Sequence, residues 1–235
     1  MNWQESRAAC RARYVAKYDD AESKAYDGYV GTLSDEDEIA YLSDMSRLFR
    51  FEPGMSVLDV GAGTGSLSKV LTRVPGLRMT AMEPSPSMRN LFRGKPELSN
   101  VSLVAGGCDD LDDRAILGEA KFDVIVSRQV ANGLFDPLVA FQNWHYWLVP
   151  GGTVIVIDGF YGRDGWRGIW EEEVDVLPLS ACQTMATIPY LLEASGFRID
   201  AVEIMDETNK RPATRTKRYI VVAKKNSSIF GTIQS

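Results

Sequence analysis

Apolar positions along the chain fall into two regimes that alternate. Short apolar runs with strand character occupy 57–60, 78–82, 101–105, 122–127 and 153–157, with two more at 197–205 and 218–223. Between them lie stretches with apolar residues three and four apart, the period of a helix packed on one face. These predict helices over 66–72, 85–92, 138–148 and 183–195, after a helix at 34–49 and helical spacing through 2–30. Strands alternating with helices imply an α/β fold with a mostly parallel sheet. In the 34–49 segment, Ser34 precedes three acids suited to the positive end of a helix, and Ile39, Leu42, Met45, Leu48 and Phe49 form the expected buried stripe. On 138–148 the expected sheet-facing stripe is Leu138, Phe141, His145 and Leu148, which makes the chain's one histidine a packing residue rather than a catalytic one. Trp144 and Trp147 are read as packing too.

The stretch from Val57 to Gly65 organises the rest. A strand runs into Gly61-Ala62-Gly63-Thr64-Gly65, and a helix starts at once. Glycines let the backbone turn with positive φ and let a ligand approach the main chain at a helix start. The spacing is G-x-G-x-G, with Ser66 where a dinucleotide fingerprint has its third glycine. Glu83 closes the second strand about 20 residues beyond the first glycine, where an open α/β sheet places the acid that binds a ribose. A carboxylate suits that task because it accepts hydrogen bonds from both hydroxyls of the diol.

These residues resemble the first motif of the class I S-adenosylmethionine-dependent methyltransferases, with Asp59 in the strand's acidic position. Further segments resemble that family in order: Met82-Glu83-Pro84-Ser85, Phe122 to Val126, Leu148 to Gly152 and Leu191 to Phe197. The resemblance runs from about residue 36 to 225. It implies a Rossmann-like domain with a seven-stranded, mostly parallel sheet, an antiparallel last strand, helices on both faces and an N-terminal helical lid. It also implies S-adenosylmethionine as cofactor, held by Gly61, Ala62, Gly63 and Gly65, by Glu83 with Pro84 and Met88, and by Arg128. Tyr18 would belong to the lid of residues 1–34, the alternative being an amphipathic helix whose tyrosines simply pack. The family commonly has an acid at position 107, where this chain has glycine. Asp109 or Asp110 would then read the adenine, or else these acids cap the next helix. Arg128 has its own alternative, as a structural partner of a carboxylate. The core would span 35–225, within a single domain of 1–235, and 226–235 reads as a disordered tail.

Composition narrows the partners. The 235 residues carry a net charge of −6, which disfavours nucleic acid and anionic membranes. The start of the chain is not a signal peptide, and no apolar run approaches a membrane span. Cys10, Cys108 and Cys182 lie far apart without zinc spacing, so no metal is expected and a reducing, cytoplasmic setting is. The absence of an Asn/Asp-Pro-Pro-Tyr/Phe run after the fourth strand counts against adenine N6 and glutamine amide acceptors. Oligomeric state is not encoded in any of these patterns.

A small-molecule acceptor follows. Gln129, Asn132, Asp158 and Tyr161 lie at the carboxyl ends of the strands, where ligands of open sheets bind. Residues 159–178 form a glycine-rich insertion with Trp166 and Trp170 that reads as a second lid, or else as a segment anchored by its tryptophans. The expected reaction is methyl transfer to nitrogen or oxygen of a small, largely apolar or aromatic metabolite, of the kind made in natural-product biosynthesis. Asp158, Tyr161 and, less well placed, His145 are the candidate bases, and none is assigned. The alternatives are an NAD(P)-dependent oxidoreductase, which the loop spacing disfavours, and a non-catalytic S-adenosylmethionine-binding protein.

Overall fold

A computed structural model describes residues 3–226 of the chain. The tail expected at 226–235 therefore lies, from 227 onward, outside the described residues. The described chain begins with helices: α1 (Trp3–Lys17), α2 (Asp20–Tyr26), a π-helical turn at Asp27–Gly31 and α3 (Asp35–Leu48). Asp19 caps α2 by accepting from the backbone N–H groups of Ala21 and Glu22 at 2.9 and 2.8 Å. Ser34 and Asp37 form a reciprocal capping box at the start of α3, which satisfies donors that a helix end otherwise leaves free.

Seven strands follow with their helices: β1 (Ser56–Val60), α4 (Ser66–Thr72), β2 (Arg78–Glu83), α5 (Pro86–Arg93), β3 (Ser102–Ala105), α6 (Arg114–Leu117), β4 (Phe122–Arg128), α7 (Pro137–Trp147), β5 (Leu148–Gly159), α8 (Thr187–Ala194), β6 (Phe197–Ile204), α9 (Asp206–Asn209) and β7 (Arg218–Lys225). They form one sheet in the order β3-β2-β1-β4-β5-β7-β6. Only β7 runs antiparallel, paired with β5 on one side and β6 on the other. This is the Rossmann-like arrangement expected of the class. Strand order reverses between β1 and β4, so a crevice opens at their carboxyl ends. Both faces are covered. Successive residues of β5 alternate between two cores, Val154 and Val156 in one with Trp144 and Trp147, Ile155 and Ile157 in the other with Met45 and Leu71. A strand buried on both faces reads as a continuous apolar run.

Three details depart from the sequence pattern. On α3, Ile39 is 56% exposed, while Asp37, Glu38 and Asp44 are buried beside Tyr41 and Met45. Charged partners rotate the helix this way. Glu38 pairs with Lys69 and Arg73 on and beside α4, and Asp37 with Arg211. Asp44 accepts the free N–H groups of Glu207 and Thr208 at the start of α9. On α7, Leu138 and His145 lie outside the buried face, which comprises Ala140, Phe141, Trp144 and Trp147. Burying two indoles outweighs burying Leu138 and the imidazole. α8 begins at Thr187, not Gln183, so Pro189 falls in its first turn, where a missing N–H costs no hydrogen bond.

The loop between β1 and α4 needs glycine at Gly65 for two separate reasons. Its φ is +97°, and a Cβ there would meet Leu98 at 2.3 Å and Phe92 at 2.9 Å. Gly54 has φ +90° but open space around it. Gly54→Ala should therefore cost only the left-handed strain, about 1–2 kcal/mol. Gly65→Ala should cost about 1–3 kcal/mol more, from overpacking. Urea unfolding of the two variants measures the difference, and equal losses would show that the wall behind the loop is not rigid.

Candidate active site

The site grows from the turn that follows β1. Gly61, Gly63 and Gly65 all have positive φ, which coils the backbone tightly. The turn is tied down on each side, with the Ala62 N–H donating to Met82 O at 3.0 Å and the Gly65 N–H to Ala62 O at 2.9 Å. The glycines do different jobs. A Cβ on Gly61 would strike Val130 at 2.6 Å, so that residue permits close packing. A Cβ on Gly63 would meet nothing nearer than Tyr26 at 3.9 Å, because its open side faces a cavity.

Glu83, at the end of β2, sits across from this turn and is 6% exposed. One carboxylate oxygen accepts the Gly63 N–H at 2.9 Å and the other the Ser85 N–H at 2.8 Å. Burial raises its pKa, opposed by those two N–H groups and by Arg89. Each oxygen can accept a further hydrogen bond, and Glu83 lines the cavity.

The cavity holds about 890 Å³ of empty space including its mouth, within the range of small-ligand pockets. Gly61, Gly63, Glu83, Pro84 and Met88 line it from β1, β2 and α5. Asp109 lines it from the loop after β3, Arg128 from β4 and Tyr18 from the N-terminal segment. Three residues expected to bind the cofactor are not among its lining. Ala62 packs in the core, Gly65 backs onto Phe92 and Leu98, and Asp110 is held outside by Arg11. Arg11, on α1, also pairs with Asp109 at 2.8 Å, and Asp109 accepts the Phe135 N–H at 2.7 Å. Asp109 thus anchors α1 and the segment after β4, while still bordering the cavity.

Tyr14 and Tyr26 line the cavity with Tyr18, and their rings meet edge to face at 5.9 and 6.0 Å from that of Tyr18. The helical spacing of the three tyrosines marked this face, but nothing local distinguished cavity lining from packing. Burial raises the pKa of all three phenols, so they remain neutral. The segment after β5 lies over them. Trp170 packs at a tilt against Tyr18 at 4.8 Å and edge to face against Tyr14 at 5.5 Å, and its indole donates to Glu22 at 3.2 Å. Lys17 of α1 pairs with the fully buried Glu173 of the same segment.

A second cavity adjoins the first, sharing Arg128 and Gln129 as a common wall. Asn132, Tyr161 and Trp166 line it, whereas Asp158 and Trp170 line neither cavity. Gln129 has φ +57°, a strained conformation for a residue with a side chain, just beyond the end of β4. The Arg128 guanidinium donates to Tyr41 Oη at 3.1 Å and lies over its ring, and no carboxylate among the described residues pairs with it. Buried Ser127 Oγ and Asn132 Oδ1 lack hydrogen-bond partners among the described residues, an unusual concentration of open polar atoms at one strand end. Asp158 lies behind them, 2% exposed, with its pKa pushed up to about 6 by burial despite the Gly159 N–H and Arg218. Asp59, on β1, accepts from Ser68 Oγ at 2.6 Å, and burial lifts its pKa to about 7. Sequence reasoning missed Arg218, the first residue of β7, because no local pattern places it beside a strand 60 residues away.

His145 lies at the opposite end of the sheet, in the last turn of α7 just before β5 begins, with its ring edge on to Phe197 at 5.2 Å. Among the described residues, no group of His, Cys, Asp and Glu is arranged to hold a metal, and no helix is long and apolar enough to cross a membrane.

A parallel sheet with a glycine turn after β1, an acid ending β2 and a cavity between them defines a nucleoside-binding α/β protein. Comparison with known proteins settles the family: the chain belongs to the methyltransferase domain family, which it matches over residues 36–202, within the class I S-adenosylmethionine-dependent superfamily. It is 29% identical over 195 residues to a PKS-NRPS hybrid synthetase of Chaetomium globosum, covering 72% of this chain and 4% of that one. It is 31% identical over 104 residues to a ubiquinone biosynthesis O-methyltransferase of Xanthomonas campestris, covering 44% of this chain and 43% of that one. The chain thus spans less than half the length of these curated relatives. Its fold is shared with a phosphoethanolamine N-methyltransferase of Haemonchus contortus in complex with S-adenosyl-L-methionine, with a TM-score of 0.61 and 18% identity over 89% of this chain and 58% of that one. The cofactor of the family is S-adenosylmethionine. The residues present fit it: an acid with free lone pairs, an open backbone at Gly63, an aromatic wall and a guanidinium without an acid partner all face one cavity.

The raised pKa of Asp158 makes stability depend on pH in a definite direction. The folded state holds this proton more tightly than the unfolded chain, whose pKa is near 3.8. Stability is therefore lost as pH rises from about 4 to about 6, by on the order of 3 kcal/mol for a two-unit shift. Asp158→Asn removes that dependence. The stability of the variant relative to wild type should increase between pH 4 and pH 7 in urea titrations. A constant difference would mean that the carboxylate is not held against its ionisation.

Proposed function

We propose that the chain is an S-adenosylmethionine-dependent methyltransferase acting on nitrogen or oxygen of a small metabolite with an apolar or aromatic body. The observation that carries this reading is the shared wall of the two cavities. The cavity beside Gly63 and Glu83 suits the nucleoside. The adjoining one, lined by Tyr41, Phe160, Tyr161 and Trp166, suits an acceptor, and Arg128 and Gln129 stand where the two meet. The named relatives include methyltransferases for oxygen and for nitrogen, which supports either atom.

When bound, S-adenosylmethionine supplies a methyl group on a positively charged sulfur. The chain's own residues have four tasks. Glu83 holds the ribose diol with its free lone pairs, and Arg128 holds the cofactor's carboxylate. Tyr14, Tyr18 and Tyr26 close the cavity and exclude water, which matters because displacement at a methyl group depends mainly on alignment and desolvation. Gln129 and Asn132 orient the acceptor through their amides. Asp158, near the second cavity and with a pKa close to neutrality, takes the acceptor's proton through an intervening group such as Tyr161. Trp166 has its indole N–H committed to Ser180 O at 2.8 Å and offers the second cavity its apolar face. Residues 159–178 act with α1 as a closing layer, joined to it through Trp170 and Glu173.

Two variants test the cofactor assignment. Glu83→Ala should weaken S-adenosylmethionine binding by about 1.5–3 kcal/mol, the usual value of hydrogen bonds to a charged group. Gly63→Arg should abolish it, because the long side chain would occupy the open space. Calorimetry reads both, and unchanged affinity in the pair rejects the site. Label transfer from S-adenosylmethionine to a metabolite pool separates an enzyme from a binding protein.

A further inference from the structure

The second cavity has a charge pattern that the proposed function leaves unexplained. The chain as a whole carries a net charge of −6, yet Arg128, Arg215 and Arg218 line this cavity against a single acid, Asp37. Arg218 and Arg215 both line it, and neither is paired with a carboxylate among the described residues. Arg218 is 6% exposed, its Nη1 donates to Tyr161 Oη at 2.7 Å, and its buried Nε has no hydrogen-bond partner. A buried guanidinium with an unused donor is costly unless something completes it. Its position is built in. A Cβ on Gly159 would fall 2.6 Å from Arg218 Nη1, so glycine there makes room for the guanidinium. Arg215 sits at the mouth on the basic loop between β6 and β7, stacked 3.9 Å above the ring of Tyr29.

The nearby acids do not account for this pair. Asp37 borders the cavity but is bound by Arg211 at 2.7 Å and by the Ser34 N–H at 3.1 Å. Asp158 approaches Arg218 from β5 but lies behind the cavity wall, too far to form an ion pair. Two guanidiniums lining one cavity supply the donors that a carboxylate or phosphate accepts, which a planar fork binds through paired hydrogen bonds.

We propose that the acceptor molecule carries an oxyanion, as a carboxylate or a phosphate ester, bound by Arg215 and Arg218 in the second cavity. The proposal rests on the methyltransferase reading for the acceptor's place but adds its polarity. The anion anchors one end against the arginines, the aromatic walls hold the body, and the nitrogen or oxygen to be methylated points toward Gln129. The same charges steer anions to an otherwise acidic protein.

Binding probes test this without knowledge of the natural substrate. The protein, saturated with S-adenosylhomocysteine, is titrated calorimetrically with benzoate, phenyl phosphate and neutral benzamide. At least one anion should bind about tenfold or more tighter than benzamide, as expected for charge-assisted hydrogen bonds, and which anion does so separates carboxylate from phosphate. Arg215→Gln, a change at an exposed position, should remove most of that preference while melting temperature and S-adenosylhomocysteine affinity stay as in wild type. Arg218→Gln should remove it more fully. The proposal is overturned if benzamide binds as well as the anions, if neither anion binds, or if the preference survives in Arg215→Gln. S-adenosylhomocysteine affinity is measured first, so a failure here leaves the cofactor assignment standing, and a failure there is recognised separately.

Discussion

The whole site hangs on one carboxylate. Glu83 ends β2 and reaches across the sheet to accept the Gly63 N–H, while its other oxygen accepts the Ser85 N–H at the start of α5. One buried side chain thus joins the glycine turn, the second strand and the following helix. A carboxylate accepts several hydrogen bonds at once, and in a low-dielectric setting each is stronger than in water. The parallel register of β1 with β2, which sets Val60 opposite Met82, brings the two groups into reach. Had the strands slipped by one residue, Glu83 would face the opposite side of the sheet.

Around this centre the N-terminal helices are attached by charge and by aromatic packing rather than by the sheet. Arg7 of α1 pairs with Asp136, Arg11 with Asp109 and Asp110, and Lys17 with Glu173. The tyrosines and Trp170 fill the space between. Ion pairs that are largely shielded hold position well but contribute modestly to stability. Such a layer can therefore separate from the core at lower cost than a strand can leave the sheet. α1, α2 and the segment after β5 each contribute walls to the cavities.

The electrostatics divide along the same line. Around the first cavity Glu83 accepts two backbone N–H groups and burial keeps three phenols uncharged, while Arg128 has no carboxylate partner among the described residues. Beside the second cavity, Arg218 and Asp158 are both buried with no ion pair between them, and burial raises the Asp158 pKa to about 6 against the lowering pull of Arg218. Sites with displaced pKa values and unmet polar groups are where chemistry is concentrated in enzymes, because a fully satisfied interior has nothing to offer a ligand.

Much of this was legible in the sequence, where structure depends on neighbours in the chain. The Val57 to Gly65 stretch specified its own strand, turn and helix, since apolar periodicity, glycine conformational freedom and helix-start chemistry are local. Glu83 followed from its spacing to the turn, and the sheet with its antiparallel β7 was implied by the resemblance to the methyltransferase family. Other features were settled only by tertiary contacts. Ile39 turned outward because Glu38 and Asp44 found partners on distant elements. His145 left the buried face because Trp144 and Trp147 had more surface to bury. Asp110 was drawn away from the cavity by Arg11, almost 100 residues earlier in the chain. The pairing of β5 with β7 set Gly159 opposite Arg218, which lines the second cavity. Local pattern determines which elements form and which way they run. Which side chains meet, and which charges remain without a partner, depends on the energy of contacts between residues far apart in sequence, and only the folded chain decides it.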